Sequence, residues 1–265
     1  MEKALQITLI SNAGLLLEYQ GIAILLDGIF GRDGHKFSNL DSETWTQMLQ
    51  GRALFSKIDY LLFTHAHPDH FSPDMTLQFL KIHKIKGMFK PVIDMESALD
   101  NYLNENRVPC ISLTPQINRT IFRIEPHISI RTFSTKHLDK KYHDIQHFCY
   151  LISFDEVNVL FTADVDYMSE SFSYINGVPL HAVFVNPLFF HVLNDPKHFK
   201  ARLDTNTIIV YHVPYEKDDI FRIRAMLTRD IKSWPEANKR VIPLMEPFQQ
   251  IQISENLESE KYLKM

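Results

Sequence analysis

Four side chains that can bind a metal ion lie within six residues of the sequence. They are His65, His67, Asp69 and His70. The apolar run before them, from Tyr60 to Phe63, is typical of a short buried strand. Pro68 lacks a backbone N–H and favours extended geometry at the preceding residue, so the four side chains are predicted to lie on a loop. Imidazole and carboxylate groups together suit zinc, with iron or manganese as alternatives.

Three more side chains of the same kind each follow a predicted strand. His137 follows Ile128 to Phe133, Asp164 follows Val157 to Phe161, and His212 follows Thr207 to Tyr211. Taken singly, a polar residue at a strand end needs no function, and a histidine-rich loop can arise by chance. Taken together, ligands at the ends of several buried strands can converge at one edge of a sheet, which favours a shared metal site.

The segment Thr64-His-Ala-His-Pro-Asp-His70 resembles the T-H-x-H-x-D-H signature of the metallo-β-lactamase superfamily, and the later histidine, aspartate and histidine follow in the superfamily's order. The resemblance implies an α/β fold of the αββα type, in which two mixed sheets pack face to face with helices outside. It also implies a dinuclear metal site. His65, His67 and His137 would hold one ion, Asp69, His70 and His212 the other, and Asp164 would bridge both. One departure is Ala163, where the family usually has glycine before the bridging aspartate.

The expected cofactors are two divalent metal ions, with Zn²⁺ preferred over Mn²⁺ or Fe²⁺. Two ions about 3.5–4 Å apart can share a hydroxide whose pKa falls to roughly 7, and that hydroxide is the expected nucleophile. The resemblance also implies a catalytic role for Asp69, which would orient the nucleophile or carry a proton. Asp27, at the end of the predicted strand Ile22 to Leu26, would orient a ligating histidine without touching the metal. An aspartate that only caps a turn is the alternative.

Predicted strands and helices interleave along the whole chain. The first strands are predicted over Leu5 to Ile10, Leu15 to Tyr19 and Ile22 to Leu26, and the last over Phe248 to Ile253. Helices are predicted from Ser42 to about Gln50, from Pro73, over about Met95 to Asn104, Met168 to Ile175, Pro196 to Leu203, and Lys217 to about Ser233. No Gly/Ser-rich linker or repeat divides the sequence. It is therefore predicted to form one domain over 1–265, with a mobile tail from about 254.

The composition narrows the class of partner. The 265 residues carry a formal net charge of −4, which argues against a nucleic-acid-binding surface. The chain has only two cysteines, Cys110 and Cys149, and shows no signal peptide, which fits a reducing cytoplasm. No apolar run is long enough to span a membrane. A small-molecule substrate in the cytoplasm is therefore expected, and the sequence leaves the oligomeric state open.

The spacing of the motifs favours one branch of the superfamily. Asp164 and His212 are too close in sequence to enclose an added nuclease domain, and His67 stands where flavodiiron proteins typically have glutamate. The layout resembles the branch of ascorbate-phosphate lactonase-like proteins and, more distantly, N-acyl phosphatidylethanolamine phospholipase D. Ser11-Asn12-Ala13 departs from the Gly-His-Ala common in that branch.

Candidate substrate-binding residues lie in two predicted loops. His191, in a loop after the strand that ends near Val185, is predicted to line the pocket, and the irregular segment Gly31 to Ser42 is expected nearby. His143 and His147 fall between two candidate ligands, and whether they reach the pocket is left open.

Three functions compete. The first is a dinuclear metal-dependent hydrolase that acts on an ester, a lactone or a phosphodiester. The second is a dedicated phosphodiesterase or nuclease, which a basic groove would favour. The third is a non-catalytic binding protein that keeps the metal. The complete set of seven ligands favours an enzyme, because a site without chemistry has little reason to retain a bridging carboxylate.

Overall fold

The first three strands are apolar on both sides because both of their faces are covered. In the computed structural model, which describes residues 4–31, 34–93, 97–167, 170–194, 205–235 and 239–254, they are Leu5–Leu9 (β1), Leu15–Tyr19 (β2) and Ile22–Leu26 (β3). All but two of their side chains are buried. The turn between β2 and β3 has positive φ at Gln20 and Gly21, as a tight hairpin requires.

The other described strands and helices alternate along the chain. The strands are Tyr60–Leu62 (β4), Gly87–Pro91 (β5), Cys110–Leu113 (β6), Ile121–Glu125 (β7), Ile128–Thr135 (β8), His147–Phe154 (β9), Val157–Phe161 (β10), Ala182–Val185 (β11), Thr207–Val210 (β12), Arg240–Pro243 (β13) and Gln250–Ile253 (β14). The helices are Ser42–Gln50 (α1), Pro73–Ile82 (α2), Ala98–Glu105 (α3), Pro187–Leu193 (α4) and Ile223–Lys232 (α5).

Two seven-stranded mixed sheets form the centre of the fold. Their strand orders are β14-β1-β2-β3-β4-β5-β6 and β13-β12-β11-β10-β9-β8-β7. One buried cluster joins the two sheets, with side chains such as Leu17 and Tyr150. A second lies between the first sheet and α1 to α3, and a third between the second sheet and α4 and α5. The order helix, sheet, sheet, helix confirms the predicted αββα sandwich.

The strand directions bring several loops to one edge of the sandwich. Strands β3 to β6 are parallel to one another, and so are β10 to β13. Strand β8 runs in the direction of β10 because both pair antiparallel with β9. The loops that follow β3, β4, β8, β10 and β12 therefore lie at carboxyl ends of strands, where open α/β sheets bind ligands.

Side-chain capping sets the starts of two helices. Helix α3 begins at Ala98, because Ser97 and Asp100 form a reciprocal capping box. Helix α5 begins at Ile223 and not near Lys217, because the Asp219 carboxylate accepts from the backbone N–H groups of Ile223 and Arg224. Ile220, which falls within the predicted helix, lies before the observed one and is 63% exposed.

Two more helix predictions change. The segment after β11 is helical, because the Asn186 side chain caps the N–H of Phe189 and Pro187 occupies the first position. Glu170–Ile175 is a 3₁₀ helix. The predicted helix over Pro196 to Leu203, the starts predicted at Met95 and Met168, and the tail beyond Ser254 lie outside the described residues. Within those residues no helix is long and apolar enough to cross a membrane.

Candidate metal centre

The seven candidate ligands lie together at the loop edge. Ligand atoms of one group lie within 4.8 Å of one another, as do those of a second group that shares Asp164. The first group is His65, His67, His137 and Asp164, and the second is Asp69, His70, Asp164 and His212. All seven side chains are buried. The structure therefore brings together every predicted ligand, in the two sets that the resemblance implies.

Asp27 lies behind the cluster and determines the protonation of His70. Its carboxylate accepts from the Thr64 backbone N–H at 2.8 Å, from the Thr64 hydroxyl at 2.7 Å and from His70 Nδ1 at 2.9 Å. Because a carboxylate only accepts, His70 Nδ1 carries a proton and a neutral ring has its lone pair on Nε2. Through this hydrogen bond Asp27 fixes the orientation of the His70 ring, and it also accepts from Thr64.

Thr64 has the same effect on His65. Its hydroxyl donates its one proton to Asp27, so the same oxygen must accept from His65 Nδ1, 2.9 Å away. The lone pair of His65 then lies on Nε2, which is 3.0 Å from His67 Nδ1. The threonine that begins the motif therefore holds a ligand tautomer, a role that the motif alone did not reveal.

His137 differs from these two residues. The backbone N–H of Asp139 donates to His137 Nδ1 at 3.0 Å, which places the proton of a neutral ring on Nε2. That atom lies 3.5 Å from Asp164 Oδ2. Ligation through His137 Nε2 therefore requires that the hydrogen bond from Asp139 N–H to Nδ1 opens and that the proton leaves Nε2.

Buried polar atoms that make no hydrogen bond indicate that a cation fits here. Among the described residues, His67 Nε2, His137 Nε2 and Asp69 Oδ2 are buried and make no hydrogen bond. His70 Nε2 and His212 Nε2 face each other at 3.0 Å, although two lone pairs would repel. A proton or a metal ion between them removes the conflict. The imidazole and carboxylate donors match zinc, manganese or iron in type.

The pKa values of the cluster also indicate that it can hold cations. Burial by itself would raise the pKa of both carboxyls, but nearby His70 and His212 outweigh it. The pKa of Asp69 falls to about 2, and the pKa of Asp164 falls well below its usual range. Burial would lower the pKa of His70, but Asp69 and Asp27 raise it well above the usual value. The cluster thus combines ionised carboxylates with protonated groups whose protons divalent ions can replace.

The histidines of the first group have a different protonation. Burial, followed by the neighbouring His70, lowers the pKa of His65 well below its ordinary value. Burial and His137 lower the pKa of His67 to about 4. Both rings are therefore neutral at pH 7, the form that binds metal.

The backbone is strained at three positions of the site. Asp27, Ala163 and His212 have φ of 48°, 46° and 61°, in the left-handed region that non-glycine residues avoid. Such conformations cost of order 1–3 kcal/mol and cluster at functional sites. The value at Ala163 explains why glycine suits this position in the superfamily.

A cavity of about 410 Å³ opens over the candidate ligands His67, Asp69, His137 and Asp164. The segment from Gly34 to Phe37 forms one wall, as expected for the irregular loop. The ring of Phe37 lies 5.1 Å from that of His212, and the ring of Tyr142 lies 4.4 Å from that of His67. The residues that complete the cavity wall are Pro68, Leu138, Asp139, Lys141, Leu188 and Phe221.

The structure does not bring His191 to this cavity. Its Nδ1 lies 2.7 Å from Asp230 Oδ2, and Leu188, from the same helix, lines the wall instead. A role for His191 in substrate binding stays a prediction that this placement does not support. His143 does not line the cavity either. His147 is buried behind the cluster, with its Nδ1 2.6 Å from Thr135 Oγ1 and its ring 4.9 Å from that of His65.

Comparison with solved structures identifies the fold. No family model and no curated protein matches the sequence. YhfI of Bacillus subtilis, a metallo-β-lactamase fold protein, is 13% identical over 95% of this chain and 100% of its own, with a TM-score of 0.62. Igni18 of Ignicoccus hospitalis, a metallo hydrolase, is 13% identical over 96% and 100%, with a TM-score of 0.60.

A third similar structure has another reaction. CmlA, a diiron β-hydroxylase from Streptomyces venezuelae, is 16% identical over 96% of this chain and 54% of its own, with a TM-score of 0.58. At these identities the likeness shows the fold alone. The chain has the metallo-β-lactamase fold, as the motif implied, and its reaction must be argued from its own residues.

Proposed function

We propose that the protein is a metal-dependent hydrolase of esters, lactones or phosphodiesters. The observation that carries the proposal is the pair of buried ligand groups that share Asp164 at the floor of an open cavity. Two bound divalent ions would supply a hydroxide nucleophile near neutral pH and an electrophile for the negative charge that develops on the substrate. Zinc is the proposed ion, with manganese and iron as alternatives.

The side chains of the site would have three separate roles: holding the ions, orienting the ligands and assisting the nucleophile. His65, His67 and His137 would hold one ion, Asp69, His70 and His212 the other, and Asp164 both. Asp27 and Thr64 keep the lone pairs of His70 and His65 directed into the cluster. Asp69 lines the cavity, and its Oδ2 lies 3.4 Å from His212 Nε2. Besides holding an ion, Asp69 would orient the nucleophile or carry a proton.

The same observations weigh against the alternatives. A binding protein has no need of a shared carboxylate whose burial must be offset by several histidines. The net charge of −4 does not favour a nuclease. A small-molecule substrate and a cytoplasmic location stay predictions, as does the nearest branch of the superfamily.

Elemental analysis of the purified protein tests the proposal. We expect about two metal ions per chain in the wild type and at most one in Asp164→Ala. Asp139→Asn is the matched control, because Asp139 is an exposed carboxylate of the same cavity outside the ligand set. Hydrolysis of 4-nitrophenyl esters, lactones and bis(4-nitrophenyl) phosphate would follow with zinc, manganese and iron. A metal-free wild type, or metal content indifferent to Asp164, would contradict the proposal.

A further inference from the structure

The mouth of the cavity carries an unusual share of the exposed apolar surface. Seven large hydrophobic or aromatic side chains are exposed among the described residues, and three of them line this one cavity. They are Tyr142, Leu188 and Phe221, which are 36%, 40% and 57% exposed. Scattered exposed apolar residues need no explanation, but a group at the rim of a polar centre marks a binding surface.

The three side chains come from separate segments of the chain. Tyr142 ends a 3₁₀ turn after β8, Leu188 lies in the first turn of α4, and Phe221 lies in the loop before α5. Phe37 joins them from the loop after β3, with its ring edge-on to His212. Since four distant segments supply apolar groups to the same opening, the apolar rim belongs to the tertiary structure and not to one loop.

We propose that this rim binds an apolar acyl or alkyl group of the substrate, next to the bond that is broken. The inference rests on the proposed function, because it takes the cavity above the metal centre as the substrate site. The occupant is an ester or lactone with an apolar chain of several carbons. The 410 Å³ cavity is in the size range of small-molecule sites, and its polar floor takes the reacting group while the rim takes the chain.

Binding of alkylphosphonates of different length tests the proposal without requiring turnover. The phosphonate group would bind at the metal centre, and the alkyl chain would contact the rim. Each methylene removed from water strengthens binding about threefold to fourfold when its burial is complete. Partial burial on an open rim leads us to expect octylphosphonate to bind the metal-loaded protein at least about tenfold more tightly than ethylphosphonate. Titration calorimetry, below the micelle concentration, measures both dissociation constants.

Two neighbouring residues supply the test variant and its control. Phe221 lines the cavity, whereas Ile220, 63% exposed beside it, does not. We expect Phe221→Ser to reduce the ratio of octylphosphonate affinity to ethylphosphonate affinity to less than about threefold, while the affinity for ethylphosphonate stays unchanged. Ile220→Ser should retain the ratio of the wild type. Both side chains are largely exposed, so both variants should fold. Leu188→Ser should act like Phe221→Ser.

Three results would overturn the proposal: no measurable octylphosphonate binding, equal affinity for the two phosphonates, or equal losses in Phe221→Ser and Ile220→Ser. Failure of the hydrolase proposal is distinguishable. In that case chain-length-dependent binding would persist while no ester, lactone or phosphodiester is cleaved.

Discussion

Asn12 Nδ2 lies 3.1 Å from His212 Nδ1, although the two residues are 200 positions apart in the chain. Asn12 Oδ1, on the same buried amide, makes no hydrogen bond. The oxygen and nitrogen of an amide are exchanged by a rotation of its plane, and the hydrogen-bond network decides between them. With the oxygen toward His212, the amide accepts from Nδ1–H and leaves the Nε2 lone pair for a metal ion. Asn12 is thus placed to orient His212.

Substitution of Asn12 tests this orientation. Asn12→Asp retains an acceptor for Nδ1–H, so we expect near-normal metal affinity, whereas Asn12→Leu should lower the affinity for one ion by about 10–100-fold. Competition with a chromogenic chelator measures both. Ser11→Ala is the control, because Ser11 is an equally buried neighbour whose hydroxyl makes no hydrogen bond. Loss of metal in Asn12→Asp as well would show that the amide donates to His212 instead.

Asp27→Asn should disable His70 as a ligand. The substituted side chain has one amide oxygen in place of two carboxylate oxygens, so its NH₂ group would face either the Thr64 N–H or His70 Nδ1. Donation to Nδ1 would move the ring proton to Nε2, where metal must bind. We expect a 10–100-fold loss of metal affinity, measured by the same competition.

Thr64 offers a matched pair for that experiment. Thr64→Ser keeps the hydroxyl that links Asp27 to His65 and should bind metal normally, whereas Thr64→Val should not. Equal affinity in the two variants would contradict the proposed control of the His65 tautomer.

Removal of metal should destabilise the fold. Metal ions that bind only the native state stabilise it by about 4 kcal/mol at a free concentration 1,000 times Kd. We therefore expect EDTA treatment to lower the Tm by about 10 °C, given the 2–4 °C shift per kcal/mol typical of domains near this size. Differential scanning calorimetry checks this, with added zinc restoring the transition. Asp164→Ala, which is expected to hold at most one ion, should show a smaller decrease in Tm with EDTA and serves as the control.

Ala163→Gly tests the strain before the bridging aspartate. A left-handed conformation costs a non-glycine residue roughly 1–2 kcal/mol. Glycine avoids this cost, but it lowers stability by up to about 1 kcal/mol because it loses more conformational entropy on folding. With φ of 46° at Ala163, we expect glycine to be neutral or to stabilise the protein by up to about 1 kcal/mol in urea unfolding. Ala163→Val should be destabilising at this fully buried position. A lower free energy of unfolding in Ala163→Gly would contradict the inference that the backbone at Ala163 is strained.

A buried ion pair anchors α3 to the first sheet. Lys90, 3% exposed on β5, places its ammonium 2.7 Å from Asp100 Oδ1. Removal of one partner from a buried pair costs about 3–5 kcal/mol, and partial exposure of Asp100 puts Asp100→Ala near the lower end, at about 3 kcal/mol. Lys90→Met should cost less than Asp100→Ala, because the carboxylate that remains is partly exposed and still accepts hydrogen bonds from Ser97. Urea unfolding at pH 7 measures both variants.

The pH dependence of that pair has a definite sign. Burial by itself would raise the pKa of Asp100, but hydrogen bonds from Lys90 and Ser97 outweigh it and lower the pKa. A carboxyl whose pKa is lower in the folded state stabilises the protein above its unfolded pKa, about 3.9, and loses this effect as pH falls through the folded value. The difference in unfolding free energy between wild type and Asp100→Ala should therefore shrink below about pH 4. A constant difference would contradict the pairing.

Much of the candidate site is encoded locally. Apolar runs such as Tyr60 to Phe63 predict buried strands, and the polar residues that end them predict the edge where ligands gather. Asp27, His137, Asp164 and His212 could therefore be assigned to strand ends before their distances were known. Local patterns failed where capping competes with periodicity, as at Asp219, whose side chain sets a helix start that apolar spacing does not encode.

The sequence by itself determined the type of fold and the seven candidate ligands, through a motif that resembles the metallo-β-lactamase signature and through residue types at predicted strand ends. Only the tertiary structure decided which side chains orient those ligands and which ones form the rim. Asn12 meets His212, and Phe37 shares a cavity with Phe221, through the packing of two sheets whose strands are far apart in the chain. Such contacts depend on the relative placement of whole elements, and no local pattern records it. For the same reason His191, chosen by its position in sequence, lies beside Asp230 and not at the cavity.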